Sequence, residues 1–434
     1  MSSSLATMAL TRAKTGLEKC GAALAAISTK EFSSASASSA MTAEVAVEES
    51  VSNAHKLGKS HFDLPEPLMM GPGPSNPYPR ANDAMSKALL GHMHSPCFGL
   101  MDEIQSGLKY IFQTNNKATF GLSASGGAAM DAAVSNLLEP GEKAVVSVSG
   151  IWGERFTEKV LRHGGEVVQL RKEAGFTPSY EEIAKVLEEE KPAVLFLCHG
   201  ESSSGTKQKM DGIGELCAKH GTLLVVDTVC TLVGEPFFAD AWGIDLVYSG
   251  AQKCIGCPPG LSPMTFSDKA YEKVMSRKQK PDIFSFDVTE VGRQWGFNGD
   301  KRPYHHTPPI NIMFAMREAL QIVSEEGLEN SWNRHLNAHY QLWEGLDKLG
   351  LKPFVENPED RLATVNCISI PEGVDAPRLI AHAYDKYNLE ISGGLGGTAG
   401  KVFRIGLMGY NCTPRNVESV VSAFEAGLKE QKWL

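Results

Sequence analysis

Asp245-Leu246-Val247-Tyr248-Ser249-Gly250-Ala251-Gln252-Lys253 reads as an apolar strand that runs into small residues and then delivers one lysine. An ammonium placed at the end of a buried strand is hard to solvate. Its pKa falls, and the free amine can attack a carbonyl carbon. Taken alone, the same pattern also describes a strand capped by a solvated charge. A second run decides between them, because Leu223-Leu224-Val225-Val226-Asp227 is a near-continuous apolar strand ending in a carboxylate. A lysine that can bond an aldehyde and an acid that can hold a pyridinium nitrogen are the minimal protein equipment for pyridoxal 5′-phosphate (PLP).

Upstream of this pair the chain repeats one pattern. Thr119-Phe120-Gly121-Leu122-Ser123 reads as a short strand, followed by Ala124-Ser125-Gly126-Gly127 and a helix-like run from Ala128 to Val134. Strand, small residues, then helix start is a geometry that aims backbone N–H groups at an anion, although Ser125 also serves as a plain N-cap. Ala144–Ser149 is the next strand and leads into Gly150-Ile151-Trp152-Gly153, whose tryptophan is free to stack on a flat ring or to fill core. Ala193–Cys198 then ends in His199-Gly200-Glu201-Ser202-Ser203-Ser204-Gly205, and Ser262–Phe266 returns after the lysine. Helical stretches over 154–163, 180–190 and 211–220 alternate with these strands. Alternation predicts a largely parallel sheet with ligands at the carboxyl ends of its strands. Ser125, Trp152, Ser202, Asp227 and Lys253 all fall at such ends.

Composition excludes several other classes. The 434 residues carry a net charge of −9, with 42% hydrophobic and 21% charged side chains, as in ordinary globular proteins. The densest basic cluster is Arg277, Lys278 and Lys280, so neither nucleic acid nor an anionic membrane surface is expected as a partner. No apolar run reaches the roughly 18 residues of a membrane span. Nine scattered cysteines suit reduced thiols rather than a disulfide framework. Cys254 and Cys257 have CxxC spacing, but no second pair accompanies them and Pro258-Pro259-Gly260 follows at once. Packing beside Lys253 is the expected role, not zinc or redox chemistry.

The remaining segments set the domain limits. Residues 1–65 are Ser- and Ala-rich, with Arg12, Lys14, Lys19 and Lys30 against only Glu18 and Glu31 before Met41. A weak apolar face, Leu17, Cys20, Leu24 and Ile27, completes the pattern of a mitochondrial presequence. Lys432-Trp433-Leu434 only loosely echoes a peroxisomal signal, which leaves that compartment as the alternative. Met70-Gly71-Pro72-Gly73-Pro74-Ser75-Asn76-Pro77 reads as a rigid arm without dinucleotide-site spacing. Residues 81–113 read as helical, with Met101, Ile104 and Leu108 on one face. A PLP-binding domain is expected over 66–326, with an irregular stretch at 271–310 and a helix near 311–326. A smaller α+β unit should follow over 327–434. Its Gly393–Lys401 run imitates a P-loop without matching it. Arg404 lies between Phe403 and Ile405, where a buried guanidinium needs an anionic partner, either a substrate carboxylate or a structural acid. His305-His306 lacks a nearby third ligand, so no metal is expected.

These motifs resemble those of the class V aminotransferases of fold type I, and within them the alanine–glyoxylate/serine–pyruvate aminotransferases. Gly71–Asn76, Gly150–Gly153, His199–Ser203, Tyr248–Lys253, Tyr304-His305-His306-Thr307, Gly393–Gly396 and Arg404–Leu407 carry the resemblance, in the same order and at similar spacing. It implies a seven-stranded, mostly parallel sheet between helices and a homodimer with composite active sites. It also implies ping-pong transfer of an amino group from alanine or serine to glyoxylate. Lys253 and Asp227 would be the catalytic pair, with Trp152 and Val229 on opposite faces of the PLP ring. Ser202 would lie near the ring oxygen, and Ser125, Gly126, Gly127 and Gln252 would cradle the phosphate. Tyr304 and Thr307 would reach the partner subunit's phosphate. Arg404, with Gly73 and Ser202, would bind substrate. Two departures stand out. Gly127 occupies a position where related members often have His, and the entrance segment Gly91–Phe98 is unlike theirs. Insect 3-hydroxykynurenine transaminases share the scaffold and supply the alternative, a bulky aromatic donor.

Overall fold

The computed structural model describes residues 64–299 and 301–434, so the expected presequence lies, but for Leu64 and Pro65, outside the described residues. Glu66–Leu434 forms one compact unit. Its centre is a sheet of seven strands: β1 (Ala118–Leu122), β2 (Lys143–Val148), β3 (Glu166–Arg171), β4 (Val194–Cys198), β5 (Leu223–Asp227), β6 (Leu246–Tyr248) and β7 (Ser262–Phe266). They are ordered β1-β7-β6-β5-β4-β2-β3. Strand β7 runs antiparallel to both of its neighbours, and the other pairs are parallel. The mostly parallel α/β sheet expected from strand–helix alternation is therefore present.

Burial explains the composition of these strands. Every residue of β4, β5 and β6 is buried, which is why they read as continuous apolar runs rather than alternating ones. Helices cover the sheet through aromatic contacts such as Phe156 on Phe196, with ring centroids 3.9 Å apart. Truncating either ring would cost about 3–5 kcal/mol. Strand order reverses between β2 and β4, and the loops after these two strands carry Trp152 and Ser202. Ligands of open α/β sheets bind in a crevice of this kind.

Three local expectations need correction. The helix expected over 81–113 is two helices, Pro79–Ala84 and Ser95–Phe112. The second starts afresh because His94 takes an extended conformation and Pro96 favours a first turn. Met101, Ile104 and Leu108 are buried on it as expected. Strand β3 was not expected at all; it forms a half-exposed sheet edge where Val167, Val168 and Leu170 mix with Glu166, Gln169 and Arg171. The supposedly irregular 271–310 overlaps helix Asp268–Met275 and contains helix Val288–Trp295. Ser267 and Asp287 cap them by accepting backbone N–H groups.

The smaller C-terminal α+β part has its own antiparallel sheet, Val365–Ser369, Val402–Gly406 and Ser392–Gly393. Helices Leu328–Lys348, Ala376–Tyr387 and Pro414–Glu430 pack a second apolar core around Leu342, Leu346, Phe403 and Phe424. The proline-rich arm joins this part. Leu68–Met69 pairs parallel with Leu389–Glu390, and Met70 is buried in the same core. No helix among the described residues is long and apolar enough to cross a membrane.

Candidate active site

Lys253 lies beyond β6 and is only 9% exposed. Its Nζ donates to the Pro72 carbonyl in the arm. Burial pushes its pKa below the usual lysine value; Arg404 acts in the same direction, against Cys230, Cys254 and Asp227. The bland alternative of a solvated cap is thereby excluded. Gly73, with φ +108°, passes so close that any β-carbon would overlap the lysine's Nζ, Cδ and Cε. The arm can touch the amine only because that position has no side chain.

Asp227 ends β5 and is buried. Its Oδ1 accepts from Val229 N–H (2.8 Å) and its Oδ2 from the Tyr248 hydroxyl (2.7 Å). Burial lifts its pKa to about 6, against the pull of those two donors and of Lys253. Val229 then packs beside Gly126 and Gly250, 3.3 Å and 3.2 Å from where their β-carbons would stand.

The loop after β4 grips Trp152 at both ends. Ser202 Oγ accepts from the indole Nε1–H (2.7 Å), and Glu201 Oε2 accepts from the Trp152 backbone N–H (3.1 Å). Ser203 Oγ donates to Glu201 Oε1 (2.6 Å) and accepts from Ile151 N–H (3.1 Å). Helix Ile151–Arg162 begins at Gly150, which has no capping side chain, so Glu201 and Ser203 cap it from another loop. Burial lifts the Glu201 carboxyl to about 7. Sequence reasoning quoted Glu201 in a motif without seeing this function, because an acceptor supplied from a distant loop leaves no local signal.

Ser125 caps helix Gly126–Leu137, accepting loosely from Ala128 N–H at 3.4 Å. Gly126 is buried, while Gly127 is exposed, with only Ser125 Oγ within 4 Å of a β-carbon built there (3.8 Å). Gln252 sits between Lys253 and Gly250, and its carbonyl accepts from Ser75 N–H at 2.9 Å. Since Gly127 is helical and unobstructed, Gly127→Ala should stabilise the apoprotein by about 0.4–1 kcal/mol. Thermal unfolding without ligand measures this.

Arg404 comes from the C-terminal sheet and is buried. Its Nε donates to Gly393 O (2.7 Å) and its Nη1 to Ser202 O (3.2 Å). Among the described residues no carboxylate lies within 4.0 Å of it, so the structural salt bridge considered for it is absent. The remaining donors on Nη1 and Nη2 stay available to an incoming anion.

Tyr304 is 61% exposed and Thr307 is exposed too. Their segment is tied down by the histidines between them. The Phe284 carbonyl can only accept, so His305 Nε2 donates to it (3.2 Å). With both rings neutral, His305 Nδ1 accepts from His306 Nδ1 (2.8 Å), and His306 Nε2 from Ser123 Oγ (2.6 Å). Among the described residues no three His, Cys, Asp or Glu side chains are placed to hold a metal. Cys254 and Cys257 are buried free thiols, and Cys254 lies near enough to act on the Lys253 charge.

Burial holds His306 and His339 at about 4, and His199 and His335 at about 3. Each binds its proton more readily unfolded, so the stability they contribute is present above the ordinary value of 6.5 and is lost as pH falls toward 4. Asp227, Glu201 and Glu235, raised by burial, act in the opposite sense over the same window but are fewer. The apoprotein should therefore melt at progressively lower temperature between pH 6.5 and 4, which scanning calorimetry across that range checks.

Residues 80–420 match the family model described as "Aminotransferase class-V". The chain belongs to that family. It is 46% identical to the alanine–glyoxylate aminotransferase of Rattus norvegicus over 368 residues, covering 85% of this chain and 89% of the relative. The solved alanine–glyoxylate aminotransferase from Nostoc sp. superposes with a TM-score of 0.84 at 42% identity, covering 87% of this chain and 99% of the other. A ureidoglycine–glyoxylate aminotransferase from Bacillus subtilis gives 0.83 at 30% identity, covering 86% and 95%. Lys253, whose pKa burial lowers, is near enough to Asp227 and Arg404 for both charges to act on it, so an amine, a carboxylate and a guanidinium come together there.

Proposed function

We propose that this protein transfers the amino group of alanine, or serine, to glyoxylate, giving pyruvate, or hydroxypyruvate, and glycine in two half-reactions. The observation that carries the reading is Arg404, a buried guanidinium with no carboxylate within 4.0 Å among the described residues, close enough to Lys253 to depress its pKa. Substrates shared by both half-reactions have one feature in common, an α-carboxylate, and Arg404 is built to take it.

The residues present suit PLP. Lys253 offers a free amine to an aldehyde, Asp227 an anionic oxygen to a ring nitrogen, and Trp152 a flat face fixed by Ser202. Ser125 and the N-terminus of helix Gly126–Leu137 would hold the phosphate, with Gln252 beside them. When bound, PLP supplies a sink for the electron pair left on the substrate α-carbon. Lys253 Nζ takes up the α-proton, a task for which its burial keeps the amine unprotonated more readily than in water. Asp227 Oδ2 or Oδ1 holds a proton at the ring nitrogen. Arg404 and Ser202 fix the carboxylate, so that the α-proton points at Lys253. Tyr304 and Thr307, exposed in one chain, would complete the phosphate site of a second copy. The exposed Phe284 (63%), stacked on His305 beside them, suits a homodimer surface. Light scattering should then return about twice the 46.9 kDa of one chain. The basic, Ser-rich start of the chain supports a mitochondrial destination, which a reporter fused to residues 1–65 would test.

Feeding 15N-labelled L-alanine with glyoxylate tests the reaction directly: the label should appear in glycine, with equimolar pyruvate. Label transfer only from 3-hydroxykynurenine would replace alanine by the bulky donor on the same scaffold.

A further inference from the structure

We infer that Tyr248 is a positioning residue for Asp227, its hydroxyl holding Oδ2 in the orientation and the ionised form that the cofactor's ring nitrogen needs. The inference rests on the PLP reading given above.

Tyr248 is fully enclosed, at 0% exposure. A buried hydroxyl without a partner costs stability, and a phenylalanine would fill the same space. The hydroxyl has one hydrogen-bond partner among the described residues, Asp227 Oδ2 at 2.7 Å. Strand pairing fixes this contact, since Asp227 and Tyr248 are register partners at the ends of β5 and β6. Val229 N–H holds the other oxygen at 2.8 Å, so the carboxylate plane is pinned from both sides, with a lone pair on each oxygen still free.

Position and charge are coupled here. Burial works against ionisation of Asp227, and the Tyr248 hydroxyl is one of the groups that oppose it. The other titratable groups facing this carboxylate are Lys253, Glu201, Cys198 and Cys230. Lys253 is the one cation among them. Burial and the neighbouring carboxylate drive the tyrosine's own pKa well above its ordinary value, so it remains a neutral donor at every working pH. Without its hydroxyl the carboxylate becomes more basic, and a proton shared with the ring nitrogen moves toward Asp227.

The test is the PLP affinity of the full-length apoprotein, titrated with PLP itself from pH 5 to 8.5. In the unaltered protein affinity should fall on the acid side as Asp227 takes up its proton. Tyr248→Phe should bind PLP about tenfold more weakly near pH 7, with the acid-side midpoint displaced to higher pH. Asp227→Asn should abolish that midpoint, and adding Tyr248→Phe to it should change nothing further. A Tyr248→Phe profile that superimposes on the unaltered one, or lies below it by one constant factor at every pH, overturns the inference. Were Tyr248→Phe not to fold, an Asp227→Asn profile retaining the midpoint would overturn it equally. Failure of the unaltered protein to bind PLP would instead overturn the underlying PLP reading, so the two failures are distinct.

Discussion

Lys253→Ala should lower the rate of transamination by about 10³-fold or more while leaving the fold intact. Among the described residues Lys253 is the one amine buried beside both an aspartate and an arginine, and its Nζ donates to a single carbonyl, Pro72 O. No neighbour can replace it. Among the groups that affect Lys253 electrostatically, Cys230 and Cys254 are held protonated by burial, Asp227 is engaged by Val229 N–H and the Tyr248 hydroxyl, and Arg404 does not release a proton. The loss should appear mainly in kcat, because the α-carboxylate anchor is untouched. Partial recovery with small primary amines added to the solution would show that the missing function is that of a base. Steady-state kinetics with and without such an amine measure both effects. An unchanged kcat would remove Lys253 from the mechanism.

Arg404→Lys should act on the other kinetic constant. The guanidinium is clamped by Gly393 O and Ser202 O, which leaves N–H donors on both terminal nitrogens without a partner among the described residues. A lysine there keeps the charge but loses the planar, two-pronged geometry and both carbonyl anchors at once. One charge-assisted hydrogen bond is worth about 1.5–3 kcal/mol, so KM for both the amino donor and glyoxylate should rise about 10- to 100-fold. Both substrates should suffer together, since both present the same carboxylate. A rise confined to one substrate would mean that the two carboxylates bind at different places. Loss of the Ser202 anchor should also loosen Trp152, whose indole hangs on the Ser202 hydroxyl.

How far the sequence carries these conclusions depends on what kind of signal each residue leaves. Lys253 and Asp227 were legible because Asp227 closes an apolar strand and Lys253 follows another within a few small residues, an arrangement that burial makes costly. Strands β4, β5 and β6 were legible because two-sided burial writes itself as an unbroken apolar run. Edge strand β3 was missed for the converse reason: a half-exposed strand mixes polar and apolar residues without a clean period. The break between Pro79–Ala84 and Ser95–Phe112 was hidden because Met101, Ile104 and Leu108 satisfy helical spacing wherever the helix begins. Short helices Asp268–Met275 and Val288–Trp295 announced themselves only through their caps, Ser267 and Asp287. Glu201 and Tyr248 were out of reach on principle. Their importance lies in which residue stands opposite them across a loop or a strand pair, and register is a property of the fold.

The most direct test of the central claim is a single half-reaction. Purified protein carrying PLP is mixed with L-alanine alone, and the visible absorbance of the lysine-bound cofactor is followed in a stopped-flow instrument. The account predicts rapid loss of that band with stoichiometric pyruvate, and its full return when glyoxylate is added. A band that survives alanine and serine alike, in folded protein shown to contain PLP, would contradict it.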